Sequence, residues 1–551
     1  MEKISLTTTT PHGLRKWFPL IILSLALAII ILDTTILNVS LRTIINDLHT
    51  DIEKIQWVIT AYSLMLAAFT ITGGRLGDLF GRKKMFVVGA IIFAVGSFMT
   101  SISQSVGFMI AGEAIVEGIG AALMMPATAS LLVSNYRGRD RQIGFGIWGG
   151  IAAASAAMGP VVGGWLTTYY SWRWAFRINI FVAIALVLGS ILINESRDTE
   201  EKPSIDFVGI ILSALGLLSV VFGFIKASDY GWFSMKHTVS LFGFEFAKGE
   251  ISPIWFFLGI GFLILGLFLL WENYVSKKGW TPLVSLSLFK NRQFATATTV
   301  TMIISLAMTG LSFVVPVFLQ AVRHLNALDT GLAMLPMSLT LLVAAPFSAY
   351  ISKFIAPKKI VQIGLGLASA GFLLLAWGIQ VDSTELNLIP GFIFFGAGMG
   401  LLMSQTNNLA LSAVSVQEAG EVSGVNGTLR QVGATLGAAI MGAILISALT
   451  TNISKGIETS SLIPAPLKSQ ISQAVSEQSS SIEFGGGAVL GNGIPESISQ
   501  EIIKISKQAT VDGAHNTLFV GVLFILLGLL VSTKLPSSKN IEVGKSVAAG
   551  H

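Results

Sequence analysis

The chain has 551 residues, 52% of them hydrophobic and 12% charged, with a mean hydropathy of +0.74 and a net charge of +5. A soluble domain carries about 25% charged residues, so this composition excludes a soluble enzyme and points to a polytopic, all-α membrane protein. The absence of cysteine excludes disulfides, thiolate metal sites and thiol catalysis, and the small positive charge belongs to basic loops, not to a nucleic-acid surface.

Residues 1–16 read as a polar tail with Lys3, Arg15 and Lys16. The apolar run from Trp17 to Leu41 follows without a small-residue cleavage site, so it reads as a retained first span. Further spans are expected at about 55–73, 85–103, 107–134, 143–168, 174–193, 207–226, 254–275, 293–321, 331–352, 360–379, 388–414, 421–449 and 515–533, which makes fourteen. Most Lys and Arg then fall on the side of the tail, so both termini are expected in the cytoplasm.

Span 1 carries Asp33 within Leu32-Asp33-Thr34-Thr35-Ile36-Leu37-Asn38-Val39. A carboxylate at mid-span costs about 3 kcal/mol on insertion scales and is a functional candidate by default. In span 2, Trp57 reads as an interface anchor and Tyr62 as a deeper, cavity-facing residue. Residues 73–84 read as a tight basic loop, with Gly74, Arg75, Asp78, Gly81, Arg82 and Lys83 as its marked positions. Gly77 and Gly81 let the backbone turn, and Asp78 is placed to accept from a neighbouring helix N-terminus or to pair with an Arg.

Span 4 carries Glu113 and Glu117, four residues apart and so on one helix face. Two such charges close together in a low dielectric do not both ionise, so the pair can hold and release a proton. At 1.5 Å per residue Asp33 lies about 12 Å from the outer end of span 1, and Glu113 and Glu117 lie about 9 and 15 Å from the outer end of span 4. One shared acidic site is expected. Span 5 contains a run of small residues ending in Gly159-Pro160-Val161-Val162-Gly163-Gly164, which permits close packing and a kink. Arg177, beyond it, is a candidate counter-charge for Glu113 or a snorkelling interface residue.

Outside, Phe242, Phe244 and Phe246 alternate in residues 227–253 and permit a short hairpin. Arg430 stands inside span 13, where it balances a carboxylate or holds the inner gate. Loop 450–514 has segments at 466–479 and 495–511 that suit short amphipathic helices. Loop 353–359 is a degraded echo of 73–84, as a two-half transporter would show. No nucleotide-binding G-x-x-x-x-G-K-[ST] segment occurs, and the six His have no metal-ligand spacing.

Several of these runs resemble one family. Gly74, Leu76, Asp78, Gly81, Arg82 and Lys83 fall on the G-x-L-a-D-r-x-G-r-k pattern of the major facilitator superfamily, where that loop gates the cytoplasmic side. The Asp33 run is similar to the L-D-x-T-x-x-N-V signature of the 14-span drug:proton antiporter branch, in which the acid is associated with proton coupling or cation recognition. Gly159, Pro160, Gly163 and Gly164 resemble the G-P-x-x-G-G motif of exporters in that superfamily. Span 4 departs from the branch: Ala114 and Glu117 stand where the family pattern R-x-x-Q-G-x-G-A-A has Arg and Gln.

The resemblance implies a major facilitator fold. Its parts are a tail (1–16), a six-helix bundle (17–193), a linker with two inserted helices (194–292), a second bundle with the long outer loop (293–533) and a tail (534–551). It implies a monomeric proton-coupled exporter of amphipathic or lipophilic, cationic compounds in a bacterial cytoplasmic membrane. Asp33, Glu113, Glu117, Asn38, Tyr62 and Arg430 would form its coupling and binding site, with protons as the coupling ion and no metal or other cofactor. The alternative is a lipid or lipid-linked molecule transporter that uses loop 450–514. A sensor without transport has no need of three acids in its spans.

Overall fold

The computed structural model describes residues 13–50, 52–196, 205–235, 238–241, 244–414, 418–464, 467–468 and 496–537. In the first half lie α1 (Phe18–Asp47), α2 (Ile52–Phe80), α3 (Arg82–Ser101), α4 (Val106–Asn135), α5 (Gly138–Tyr169) and α6 (Trp172–Gly189). Next come α7 (Phe207–Tyr230) and α8 (Ile254–Lys277). The second half holds α9 (Arg292–Ala321), α10 (Leu335–Ile351), α11 (Pro357–Gly378), α12 (Ile389–Ser412), α13 (Ala419–Thr459) and α14 (Glu496–Ser532). Apolar runs of this length become helices because lipid offers the backbone no partner, so each segment must satisfy its own N–H and C=O groups.

Twelve of these helices are long and apolar enough to cross a membrane, so the chain is an integral membrane protein. The other two segments expected to span are helical as well: α5, and the shorter α10, which follows a separate turn of helix at Ala327–Ala333.

The packing repeats itself. In the first half α1 packs on α5, α3 on α4 and α6, and α2 on α4; in the second half α9 packs on α13, α11 on α12 and α14, and α10 on α12. The halves meet along two matching seams, α2 against α13 and α5 against α10. Both seams are closely packed near the ends that adjoin the basic connections. A Cβ on Gly74 would lie 2.3 Å from the Gly420 carbonyl oxygen, and one on Gly146 would lie 2.7 Å from that of Ala345. Helices α7 and α8 pair with each other, and α7 lies against both α2 and α13. Trp57 of α2 stacks on Phe222 of α7 at 5.7 Å between centroids, so it serves this contact and not only a membrane boundary.

Two expected loops differ. Residues 73–80 are not loop: α2 runs on to Phe80, and Gly81 alone separates it from α3. The charges of this stretch pair inside the protein, so they have no need to leave the helix for water. Gly81 makes the break with φ +107°, a conformation that favours glycine. The connection expected at 450–514 is also shorter than expected. Residues 496–511 do not form a separate short helix but the start of α14, and α13 extends ten residues beyond its expected end at 449. At 1.5 Å per residue α13 is about 60 Å long, twice the ~30 Å hydrocarbon core.

The two extensions stay helical because they bury each other. Ile453, Ile457, Ile498 and Ile502 are buried, Gly456 lies against Ile505, and Ser460 Oγ donates to Glu501 Oε1 at 3.2 Å. The helix expected at 466–479 falls almost wholly outside the described residues. The expected hairpin is present: β1 (Val239–Leu241) pairs antiparallel with β2 (Phe244–Phe246), with Phe242 outside the described residues.

Candidate functional site

Asp33, Glu113 and Glu117 come together as one cluster, with a carboxylate oxygen from each lying within 4.8 Å of the others. They are 2%, 1% and 0% exposed, so Glu113 is not a solvated interface residue. The local backbone helps. Residues Ile110–Glu117 of α4 form a π-helical stretch, a form frequent at functional sites. It presses on α3 so closely that a Cβ on Gly96 would sit 2.5 Å from the Glu117 nitrogen.

Two residues the sequence reading missed hold the cluster. Asn179 of α6 donates through Nδ2 to Asp33 Oδ1 at 2.7 Å, Ser97 Oγ at 3.0 Å and Glu117 Oε1 at 3.1 Å. Ser97 of α3 donates to Glu117 Oε1 at 2.5 Å. The second oxygens, Asp33 Oδ2, Glu113 Oε2 and Glu117 Oε2, have no protein partner, and neither has the buried hydroxyl of Tyr62. No basic side chain joins the cluster among the described residues. Arg177 does not serve as its counter-charge: its guanidinium lies 5.3 Å from the Trp174 ring centre and makes no ion pair with Glu113. An interface position beside an aromatic ring wins over the desolvation needed to reach inward.

Three like charges at this spacing repel strongly in an apolar interior. The cluster must therefore take up positive charge, either as protons or as a cation. Three carboxylate oxygens are also ligands a hard cation accepts.

The cluster opens to a cavity of about 430 Å³ between the two halves. Glu113, Tyr62, Thr34 and Thr35 contribute to it from the first half, and Thr406, Asn407 and Arg430 from the second. Its size lies in the range of small-molecule sites. Asn38 is on α1, but its side chain falls outside the described residues. On α5, Gly159 lies against Thr35 and Gly163 against Ile36, which seats α5 on α1 beside the cavity. The helix continues through Pro160, and Gly164 is half-buried.

A second constellation closes the end of the cavity that adjoins the basic segments. Asp78 is buried and accepts from Arg82 Nη2 at 2.7 Å and Nε at 2.9 Å. It also accepts the backbone N–H of Gly420 at 3.0 Å and of Glu421 at 2.7 Å. Both partners foreseen for it are therefore present at once: an Arg, and the N-terminus of a helix from the other half, where backbone N–H groups lack intrahelical acceptors. Arg82 continues to Ser196 Oγ at 3.1 Å, and Glu195 accepts the N–H of Lys83 and of Lys84 at 3.0 and 3.2 Å. Arg75 is half-buried beside Asp206 and Thr281.

Glu421 in turn accepts the N–H of Ser285 at 2.5 Å, and Glu272 of α8 accepts that of Val284 at 3.2 Å, which ties the segment after the inserted pair to this closure. Glu195, Glu272 and Glu421 carry no sequence motif. Glu195 and Glu421 stand at or beside a helix end, whereas Glu272 is a carboxylate within the span expected at 254–275.

The sequence matches the family description "Major Facilitator Superfamily" over residues 23–438. It is 29% identical to the tetracenomycin C resistance and export protein of Streptomyces glaucescens, covering 81% of this chain and 79% of that one. It is 27% identical to the multidrug efflux pump LfrA of Mycolicibacterium smegmatis, over 95% of this chain and 97% of that one. The structure resembles that of the human organic anion transporter MFSD10 with a TM-score of 0.56 at 13% identity, covering 94% and 99% of the two chains. At that identity the likeness concerns the fold alone.

Proposed function

The chain belongs to the Major Facilitator Superfamily, a family of membrane transporters and not of enzymes, and from that premise we propose that it exports small amphipathic molecules of the drug and antibiotic kind in exchange for protons. The observation that carries this reading is the buried cluster of Asp33, Glu113 and Glu117, which has no basic partner among the described residues and reaches the cavity through Glu113. Such a cluster holds protons when the cavity is empty and gives them up when a substrate or the aqueous phase on the other side takes over. The names of the two bacterial relatives, one an export protein and one an efflux pump, support the direction. The same reading takes fourteen spans, both termini in the cytoplasm, a bacterial cytoplasmic membrane and a monomer as its setting.

In this reading the structure is the state closed to the cytoplasm, with the Asp78 constellation as its inner latch and α5 on α1 as the packing that rocks with the first half. The test is substrate-driven proton movement in proteoliposomes, measured for wild type and for Glu117→Gln and Glu113→Gln. Proton flux that follows a tetracenomycin-like substrate and falls at least tenfold in both variants supports the reading. Export that proceeds unchanged without a pH gradient would sink it. The cationic preference implied by the resemblance took in the acids, and the cavity also carries a cation of its own, Arg430.

A further inference from the structure

Arg430 lies within α13 and forms part of the cavity wall. Its one hydrogen bond is from Nη2 to the Met125 sulfur at 3.4 Å, and a thioether is a weak acceptor. Among the described residues no carboxylate forms an ion pair with it. The cluster acids gather on one another, with Asn179 and Ser97 donating to Asp33 and Glu117, and none of them forms an ion pair with Arg430. This is unusual, because charged residues inside spans almost always pair with another residue or with backbone carbonyls. A guanidinium stays charged in a protein and offers five donors in a fixed fork, the geometry that grips carboxylates and related oxyanions.

The rest of the cavity suits a flat or irregular apolar body. Met125, Met308, Met399 and Met403 line it, and methionine adapts its shape to what it contacts. Glu113 stands on the first-half wall and Arg430 on the second-half wall.

We propose that Arg430 receives an anionic group of the transported molecule, so that the cavity selects amphipathic acids and zwitterions over lipophilic cations that lack an acidic group. The proposal rests on the export reading above and names its substrate class. Glu113 then faces the other end of the molecule, where a zwitterion places its amine and a simple acid leaves the carboxyl protonated.

The experiment is equilibrium binding to the full-length protein in nanodiscs, read by fluorescence polarisation. The probes are three dyes on one xanthene ring: fluorescein, which is anionic; rhodamine 110, which is zwitterionic; and rhodamine 123, its cationic methyl ester. Wild type is expected to bind fluorescein and rhodamine 110. Arg430→Gln is expected to weaken both at least tenfold while rhodamine 123 stays within twofold. Arg430→Lys, which keeps the charge but loses the fork, is expected to recover part of the loss, and thermal melting of each variant checks that it folds.

Equal losses for all three dyes overturn the proposal, as does a wild type that binds neither acidic dye. Binding needs no proton gradient. A failure of proton coupling with dye selectivity intact therefore removes the antiport reading alone.

Discussion

Asn179 Nδ2 lies 2.7 Å from Asp33 Oδ1 and joins α6 to α1 at the floor of the acidic cluster. The same nitrogen also reaches Glu117 at 3.1 Å, so one amide group orients two of the three carboxylates. Removing it leaves Asp33 Oδ1 without a donor, while Glu117 Oε1 keeps Ser97, and a buried oxygen so left costs about 1–3 kcal/mol. Asn179→Ala is expected to reduce substrate-driven proton flux at least tenfold and to lower the melting temperature. Asn179→Gln, which keeps the amide, is expected to retain more of both. Unchanged flux in Asn179→Ala would show that the amide has no part in coupling.

Asp78 spans the seam between the halves by accepting the N–H groups of Gly420 and Glu421 while paired with Arg82. Breaking a buried pair from one side costs about 3–5 kcal/mol. Asp78→Ala is expected to shift the protein towards the state open at this end. The natural chain has no cysteine, so a single cysteine at Ser423, buried beside this closure, reports the shift cleanly. Its labelling by a water-soluble maleimide should rise about tenfold or more in the Asp78→Ala background, and an unchanged rate counts against a latch.

Gly74 tolerates no side chain, since its Cβ would lie 2.3 Å from the Gly420 carbonyl oxygen. Gly74→Ala is expected to abolish transport while the protein still inserts and folds, because it blocks closure of one seam. Gly366→Ala is the matched control, as nothing lies within 4 Å of its Cβ position. Equal activity in the two variants would remove the seam from the mechanism.

At the end of α1 remote from the basic connections, Asp47 accepts from Arg173 and, at 3.0 Å, from Trp172 Nε1. The bond from Arg173 is the larger cause and that from Trp172 the second, and together they hold the Asp47 carboxyl below its ordinary value. A depressed carboxyl contributes stability above the unfolded value of about 3.9, and that stability is lost as pH falls through the lower folded value. The side chain is 43% exposed, so solvent screens the effect and it is small. Trp172 fluorescence is expected to change in acid with the titration of Asp47, and the change should be absent in Asp47→Asn.

The cluster was legible because Asp33, Glu113 and Glu117 share a depth, and depth follows from residue counts along spans. Asn179 and Ser97 were not legible, because one amide or hydroxyl in a span says nothing of which helix it will meet. Arg177 misled for the same reason: its distance from Glu113 depends on how α6 rotates, and no count along the chain gives that rotation. The stretch 73–84 was read correctly for what Asp78 would bond and wrongly for its backbone. Glycines and charges spell a turn when exposed, but here Arg82 and Asp78 neutralise each other in the interior and the helix persists. The connection at 450–514 was misjudged because Ile453, Ile457, Ile498 and Ile502 look like scattered residues until two helices bring them face to face.

The inserted helices give the two seams different surroundings. Helix α7 lies over the seam of α2 and α13, and Lys226 and Phe222 hold it to Trp57. No described helix outside the two bundles lies in the same way over α5 and α10. The internal two-fold of the bundles therefore does not extend to their outer face: bilayer lipid borders one seam directly and meets a protein wall at the other, so a molecule arriving sideways from the membrane finds a single flank unscreened.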